Sequence, residues 1–190
     1  QVLAAWRNQL SVDPAKAAAV INAVPGYASA FQAAYGAAAT LSANRIHNNT
    51  TGISVTAVGE AGGLGFVGVA EPNEISASQT GVTLSPVARM RAQHIFNNTT
   101  GVTGSGVLGG GELATANLIE GNVTGVNFSG VIQFNRIAAN GTGIAATNGL
   151  TIIHNLIYRN TATGIAVTGR TDVRIVSNTI YAPAGDGIRI

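Results

Sequence analysis

A segment that recurs about every 22 residues constrains the fold of this chain more than any other feature. The segment NRIHNNTTGISV at 44–55 is followed by six variants of itself. Each copy starts with Asn, or once with Gln, and the starts are Asn44, Asn73, Gln93, Asn117, Asn135, Asn155 and Asn178. A repeat of this length predicts a solenoid, because one such unit is too short to bury its own apolar residues and must stack on its neighbours.

Apolar residues occupy the same places in every copy. Two residues after each start stands an isoleucine: Ile46, Ile75, Ile95, Ile119, Ile137, Ile157 and Ile180. Eight or nine residues after each start stands a glycine followed by Ile or Val, and these apolar residues are Ile53, Val82, Val102, Val126, Ile144, Ile165 and Ile188. A third set lies three residues before each start: Leu41, Ala70, Met90, Ala114, Ile132, Ile152 and Ile175. Three apolar columns predict rungs with three faces around one core.

Polar columns accompany the apolar ones. Besides the starting Asn, a second Asn lies three residues before its glycine at Asn49, Asn98, Asn122 and Asn140. Threonine directly precedes the glycine at Thr51, Thr80, Thr100, Thr124, Thr142 and Thr163. We expect the amides to bond from rung to rung at the turns, and the glycines to supply the backbone angles of a tight bend.

Composition narrows the possible functions. Hydrophobic residues make up 46% and charged residues 9% of the chain, which is typical of an ordered domain with a core. The ten basic residues are scattered, so no basic stripe indicates a nucleic-acid partner. No apolar run reaches the roughly 18 residues of a membrane span. The absence of cysteine excludes a disulfide framework, thiolate metal sites and c-type haem attachment.

The columns resemble those of the parallel β-helix repeat family. That family includes pectate-lyase-like enzymes, mannuronan epimerases, periplasmic carbohydrate-binding repeat proteins and segments of large bacterial surface proteins. The resemblance covers about four-fifths of the chain, residues 39–190. It implies an all-β, right-handed parallel β-helix solenoid of about seven rungs. It does not imply an activity, because the N-x-I and G-I/V columns are structural throughout the family.

Residues 1–38 differ from the repeat. They are rich in alanine, and their pattern predicts one helix over 14–23, begun by Asp13 and Pro14, and another over 27–35. Because the open end of a solenoid must be covered, these helices are expected to form a short N-terminal cap on the first rung. The alternative is that they are the tail of an upstream domain.

Two rungs are longer than the others. Their extra residues fall in the glycine-rich segments 56–69 and 103–116. Neither has the lysine and Ser/Thr of a phosphate-binding loop. We expect both to be loops that leave the stack, either as tolerated insertions or as recognition loops.

The ionisable residues do not form a familiar catalytic set. No two carboxylates share an outward column on adjacent rungs, which argues against a paired-carboxylate hydrolase or a multi-carboxylate calcium site. His47, His94 and His154 fall in three different columns, so no metal and no cofactor are expected. Arg45, Glu74 and His94 share one column, and Glu71 and Arg91 share another; both sets are interpreted as structural charge ladders.

One cluster near the C-terminal rungs is a candidate site. It consists of Arg136, His154, Tyr158, Arg159 and Tyr181. His154, Tyr158 and Arg159 are the candidates for acid–base chemistry, and Arg136 and Tyr181 are the candidates for binding. Their cations and phenols suit an acidic sugar. The Asp-Pro-His-Asp signature of the related epimerases is absent.

Two functions remain open from the sequence. The first is a structural or binding module of a larger secreted or cell-surface bacterial protein, which presents a surface to carbohydrate or to other chains. The second is a polysaccharide lyase or uronate epimerase that acts on an acidic polysaccharide. At the C-terminal rung, we expect the open strand edges to continue into a further rung or to pair with another chain.

Overall fold

The computed structural model describes residues 41, 43–55 and 72–190, together with the backbone of 65–67. The chain divides into two compact units, residues 1–37 with 58–62 and residues 38–57 with 63–190. All described residues belong to the second unit. The predicted helices over 14–23 and 27–35, and with them the N-terminal cap, lie outside the described residues. The domain boundary at residue 38 stays a prediction.

The described part of the chain consists of short strands and one turn of 3-10 helix, Leu113–Thr115. The strands are β1 (Arg45–His47), β2 (Thr51–Val55), β3 (Gly65–Val67), β4 (Glu74–Ser76), β5 (Thr80–Leu84), β6 (Arg89–Arg91), β7 (His94–Phe96), β8 (Thr100–Gly104), β9 (Val107–Leu108), β10 (Leu118–Glu120), β11 (Thr124–Gln133), β12 (Arg136–Ala138), β13 (Thr142–Ile153), β14 (Leu156–Tyr158), β15 (Thr163–Ala166), β16 (Arg174–Val176), β17 (Thr179–Tyr181) and β18 (Asp186–Arg189).

The strands form two parallel sheets. One has seven three-residue strands in the order β1-β4-β7-β10-β12-β14-β17. The other has eleven strands and follows the path β18-β15-β13-β11-β8-β5-β2, with β3, β6, β9 and β16 paired beside it. In β13 the first half pairs with β15 and the second half with β16, so this strand continues from one face of the solenoid to the next. The predicted all-β parallel solenoid is confirmed, and seven stacked strands mark six full turns.

The isoleucine column stands in register through all seven rungs. Each member is the strand partner of the next, from Ile46 opposite Ile75 to Ile157 opposite Ile180. The five central members are 0% exposed: Ile75, Ile95, Ile119, Ile137 and Ile157. Burying one such side chain contributes about 1.5–3 kcal/mol, so this column supplies a large share of the stability of the stack. The Ile and Val residues that follow the glycines also stand in register.

The third apolar column differs from the prediction at two rungs. Met90 has Phe66 as its partner on one side and Leu108 on the other, and Leu108 leads on to Ile132. The predicted Ala114 is exposed in the 3-10 turn instead. Ala114 was predicted by counting three residues back from Asn117, the start of the next copy. The count failed because the additional residues of this rung, which lie within 109–116, follow strand β9 and do not precede it. The glycine-rich segments therefore contain strands β3 and β9, and the prediction that both leave the stack is wrong for these residues.

The repeated glycines are required for a reason that the sequence prediction missed. None of them has a positive φ; they stand where one rung closely approaches the next. A Cβ on Gly125 would lie 2.6 Å from the carbonyl oxygen of Gly143, a backbone atom that cannot move aside. On Gly187, in the last rung, a Cβ would meet only Ile180 Cγ2, at 3.7 Å. Close packing of rungs, rather than a special backbone angle, excludes larger residues here.

Two amide ladders run along the turns, as predicted. In the first, Asn117 Nδ2 donates to Asn135 Oδ1 at 2.8 Å, and Asn135 Nδ2 donates to Asn155 Oδ1 at 3.0 Å. In the second, Asn98 Nδ2 donates to Asn122 Oδ1 at 3.1 Å, and the same pattern continues through Asn140. The ladder residues also bond backbone groups, so the buried amides of the two ladders are satisfied.

Two members of the second ladder were not predicted. Ser78 takes the amide position in the second rung and donates its backbone N–H to Asn98 Oδ1. Asn160 extends the ladder by accepting from Asn140 Nδ2 at 3.1 Å. Asn160 lies four residues before Gly164 rather than three, because its turn has one additional residue. A residue belongs to the ladder because it stacks on the equivalent residue of the next rung. Counting a fixed number of residues back from the glycine therefore does not identify every member.

The outer strands are less completely covered than the central ones. Strands β17 and β18 are the last members of their sheets in the described part of the chain. Ile188, in β18, is 43% exposed, whereas its partner Ile165 is 0% exposed. The expectation that a further rung or another chain pairs with these strands stays a prediction.

Candidate functional site

The outward surface of the seven-stranded sheet carries most of the candidate residues. In each three-residue strand the central isoleucine points into the core and its two neighbours point outward. The first outward column is Arg45, Glu74, His94, Leu118, Arg136, Leu156 and Thr179. The second is His47, Ser76, Phe96, Glu120, Ala138, Tyr158 and Tyr181. We call these fourteen residues the short-strand face.

The structure places three of the five cluster residues on the short-strand face. Tyr158 and Tyr181 are strand partners in the second column, and Tyr181 is 59% exposed. Arg136 is exposed in the first column, one strand before Tyr158. Because neighbouring strands are about 4.8 Å apart, the two phenols form a short ladder along the solenoid axis.

The other two cluster residues occupy turns at opposite ends of β14. His154 precedes this strand with a φ of 56°, and Arg159 follows it with a φ of 57°. Both are exposed. The left-handed backbone at these places belongs to the turns of the repeat, since Asn97 and Ala139 adopt it at the position equivalent to Arg159.

The three acid–base candidates do not meet in the described part of the chain. His154 stacks on Phe134 of the preceding rung, with ring centroids 5.0 Å apart. No hydrogen bond or ion pair joins His154, Tyr158 and Arg159 within the described residues. General acid–base catalysis requires groups within hydrogen-bond reach of a common substrate atom. His154 and Arg159 lie at opposite ends of β14, and Tyr158 lies on the outward surface of this strand.

Comparison with known families agrees with the geometry of the rungs. The model for the right handed beta helix region matches residues 29–190. The chain belongs to the right-handed β-helix family. No curated protein and no solved structure matches it. Family membership supports the predicted handedness and places the start of the matched region within the alanine-rich segment; it describes a fold and names no reaction.

The first rungs of this β-helix carry a different set of charges on the short-strand face. Arg45 Nε lies 3.1 Å from Glu74 Oε2, so the predicted charge ladder begins with a real ion pair. His94 does not pair with Glu74. Its Nε2 lies 3.0 Å from Glu120 Oε1 in the neighbouring column, and its ring stacks on Phe96 at 4.4 Å. The pairing with Glu120 was not predicted, because the predicted charge ladders contain charges of a single column.

Two kinds of feature are absent from the residues that the structure describes. Its described residues include no group of three His, Cys, Asp or Glu side chains that could hold a metal ion. Nor does any helix among these residues have the length and apolar character needed to cross a membrane.

Proposed function

We propose that this β-helix is a binding module of a larger secreted or cell-surface bacterial protein, and that the C-terminal half of its short-strand face holds an acidic polysaccharide. One observation carries the proposal. Two tyrosines stand in register along the solenoid axis, with Arg136 one strand before them and Arg159 in the turn beside them.

The chemistry of these side chains suits such a ligand. A guanidinium binds a carboxylate through two parallel hydrogen bonds, and an exposed phenol ring offers an apolar surface with a polar end. Arg136 and Arg159 have no ion-pair partner in the described part of the chain, so their charges are available to a ligand. An arginine paired with a carboxylate of its own chain could not bind the carboxylate of a ligand in the same way.

The shape of the face suits a polymer. Equivalent side chains recur at the strand spacing of about 4.8 Å, so a chain lying along the axis meets one rung after another. Contacts that are individually weak then add, because they belong to one linked ligand. The six-turn stack keeps the contacts fixed relative to one another, which reduces the entropy lost on binding.

The experiment measures binding of polygalacturonate and alginate to the chain by calorimetry. Arg136→Ala and Tyr158→Ala are each expected to weaken binding about tenfold, which corresponds to about 1.4 kcal/mol. Arg174→Ala is the matched control, because Arg174 is an exposed arginine on a different face, in β16. Its affinity should equal that of the unchanged chain.

The same samples test the enzymatic alternative. A lyase would release unsaturated uronate ends, and an epimerase would change the ratio of the two uronates in alginate. If either product forms and its formation is lost on substitution of His154 or Tyr158, the chain is an enzyme and the proposal of a binding module is wrong. Absence of binding to both polymers, or equal loss in Arg174→Ala, would refute the proposed ligand class.

A further inference from the structure

A shallow polar depression lies at the turns that follow strands β4, β7 and β10. Its lining comes from three equivalent turns of adjacent rungs: residues 77–79, residues 97–99, and Gly121 with Val123. It does not include Arg136, which lies one rung further along the stack, or Tyr158, which lies two rungs further. The second column of the short-strand face borders it, since Phe96 and Glu120 directly precede Asn97 and Gly121.

The depression forms because the residues at one turn position differ in size: asparagine in the middle rung lies between alanine and glycine in the rungs on either side. Ala77, Asn97 and Gly121 occupy the same turn position, with φ values of 49°, 55° and 65°. A Cβ on Gly121 would lie 2.6 Å from Asn97 Oδ1. Glycine at 121 therefore gives the Asn97 amide room over the next rung and leaves the space beside it open.

Three polar side chains at the rim of the depression have no hydrogen-bond partner in the described part of the chain. Gln79, Asn97 and Thr99 are exposed, and their side chains form no hydrogen bond in the described part of the chain. Behind them, Ser78 and Asn98 belong to the buried amide ladder, which fixes the floor. The site thus has a rigid base and a rim of free amide and hydroxyl groups.

A carboxylate and an apolar group complete the surroundings. Glu120 bonds His94 through Oε1, which orients its carboxylate and leaves Oε2 without a partner in the described chain. Val123, in the lining, is 66% exposed. No Arg or Lys lines the depression, so nothing there would neutralise an acidic ligand, and Glu120 would repel one.

We infer that this depression binds a neutral saccharide unit. Amides, a hydroxyl and a carboxylate can donate to and accept from neighbouring sugar hydroxyls, and Val123 can contact the apolar C–H side of the ring. The inference rests on the proposed function for the class of ligand, since both sites border the same face. Together they specify a polysaccharide that contains neutral as well as acidic sugars.

A substitution that fills the depression tests the inference. Gly121→Asn keeps the turn, because Asn tolerates the left-handed backbone and already occupies the equivalent position at Asn97. Its side chain would displace the Asn97 amide. Gly149→Asn is the matched control, since Gly149 has a φ of 70° and open space around its Cβ position. Thermal unfolding of both variants verifies that they fold.

The probes are a β-1,4-linked glucose hexamer, an α-1,6-linked mannose hexamer and polygalacturonate, measured by calorimetry at millimolar ligand. At least one neutral hexamer is expected to bind the unchanged chain, and Gly121→Asn and Asn97→Ala should weaken it at least tenfold. Gly149→Asn and Arg174→Ala should leave this affinity unchanged.

The outcomes separate the two sites. Loss of polygalacturonate binding in Arg136→Ala, together with loss of neutral-hexamer binding in Gly121→Asn, supports both sites. Failure of both neutral hexamers to bind the unchanged chain overturns the inference and leaves the acidic site standing. Binding of a neutral hexamer, when neither polygalacturonate nor alginate binds, refutes the proposed function and retains the depression as a site.

Discussion

The inside and the outside of the same short strands follow different rules. In β7, β10 and β12 the central residue is always Ile, fully buried and in register. The outward residues change from His94 and Phe96 in β7 to Arg136 and Ala138 in β12. Stacking forces the interior to repeat, because each inward residue must fill the same space above its neighbour. No such constraint acts outside, so chemistry can differ from rung to rung.

The largest effect in this comparison is expected from a ladder amide. Asn135 is 0% exposed; its Nδ2 donates to Leu108 O, Gln133 O and Asn155 Oδ1, and its Oδ1 accepts from Asn117. Asn135→Ala leaves these buried groups unpaired, at about 1–3 kcal/mol for each one that water cannot reach. We expect the free energy of unfolding to fall by about 4 kcal/mol in urea titrations.

Asn178→Ala is the control at the edge of the same ladder. Asn178 is only half-buried, so water can replace part of its bonding. Its loss of stability should be about half as large or less. Equal losses in the two variants would mean that burial between rungs does not govern the ladder.

A smaller effect is expected at the glycine column. Gly125→Ala places a methyl group against the backbone of the next rung, and the resulting shift should lower the free energy of unfolding by about 2–3 kcal/mol. Gly187→Ala places the same methyl group where it meets only a side chain at ordinary distance. That variant should differ from the unchanged chain by less than about 0.5 kcal/mol. A reversal of this order would show that the close approach of neighbouring rungs does not select glycine at these positions.

The smallest effect on stability is expected outside. Arg136→Ala removes an exposed side chain without an ion-pair partner in the described residues, so the free energy of unfolding should change by less than about 0.5 kcal/mol. Binding of polygalacturonate should nevertheless fall about tenfold. A large loss of stability in this variant would remove the distinction between a structural inside and a functional outside.

The same distinction explains what the sequence could predict. The isoleucine register and the amide ladders were predictable, because stacking imposes one spacing on every rung. The core position of Leu108 was not predicted, because additional residues lengthen its rung. Gly106 and Gly109, with φ values of 104° and 113°, form the bends on either side of its strand.

The contact between His94 and Glu120 belongs to the less predictable outside. It joins two columns and two rungs, so it depends on how far and in which direction the side chains reach. The same holds for the polar depression, which required the close approach of Asn97 to Gly121 to be known. Backbone repetition alone carries no information about such contacts.

The stacking of equivalent residues can be measured directly by cysteine cross-linking, since the chain has no cysteine of its own. Arg136 and Leu156 are outward strand partners, at a strand spacing of about 4.8 Å that lies within the Cα separation of disulfides. The pair Arg136→Cys and Leu156→Cys should form a disulfide under mild oxidation. Arg136→Cys with Thr179→Cys, two rungs apart at about 9.6 Å, should not. Cross-linking of the distant pair without the adjacent pair would contradict the register on which the account depends.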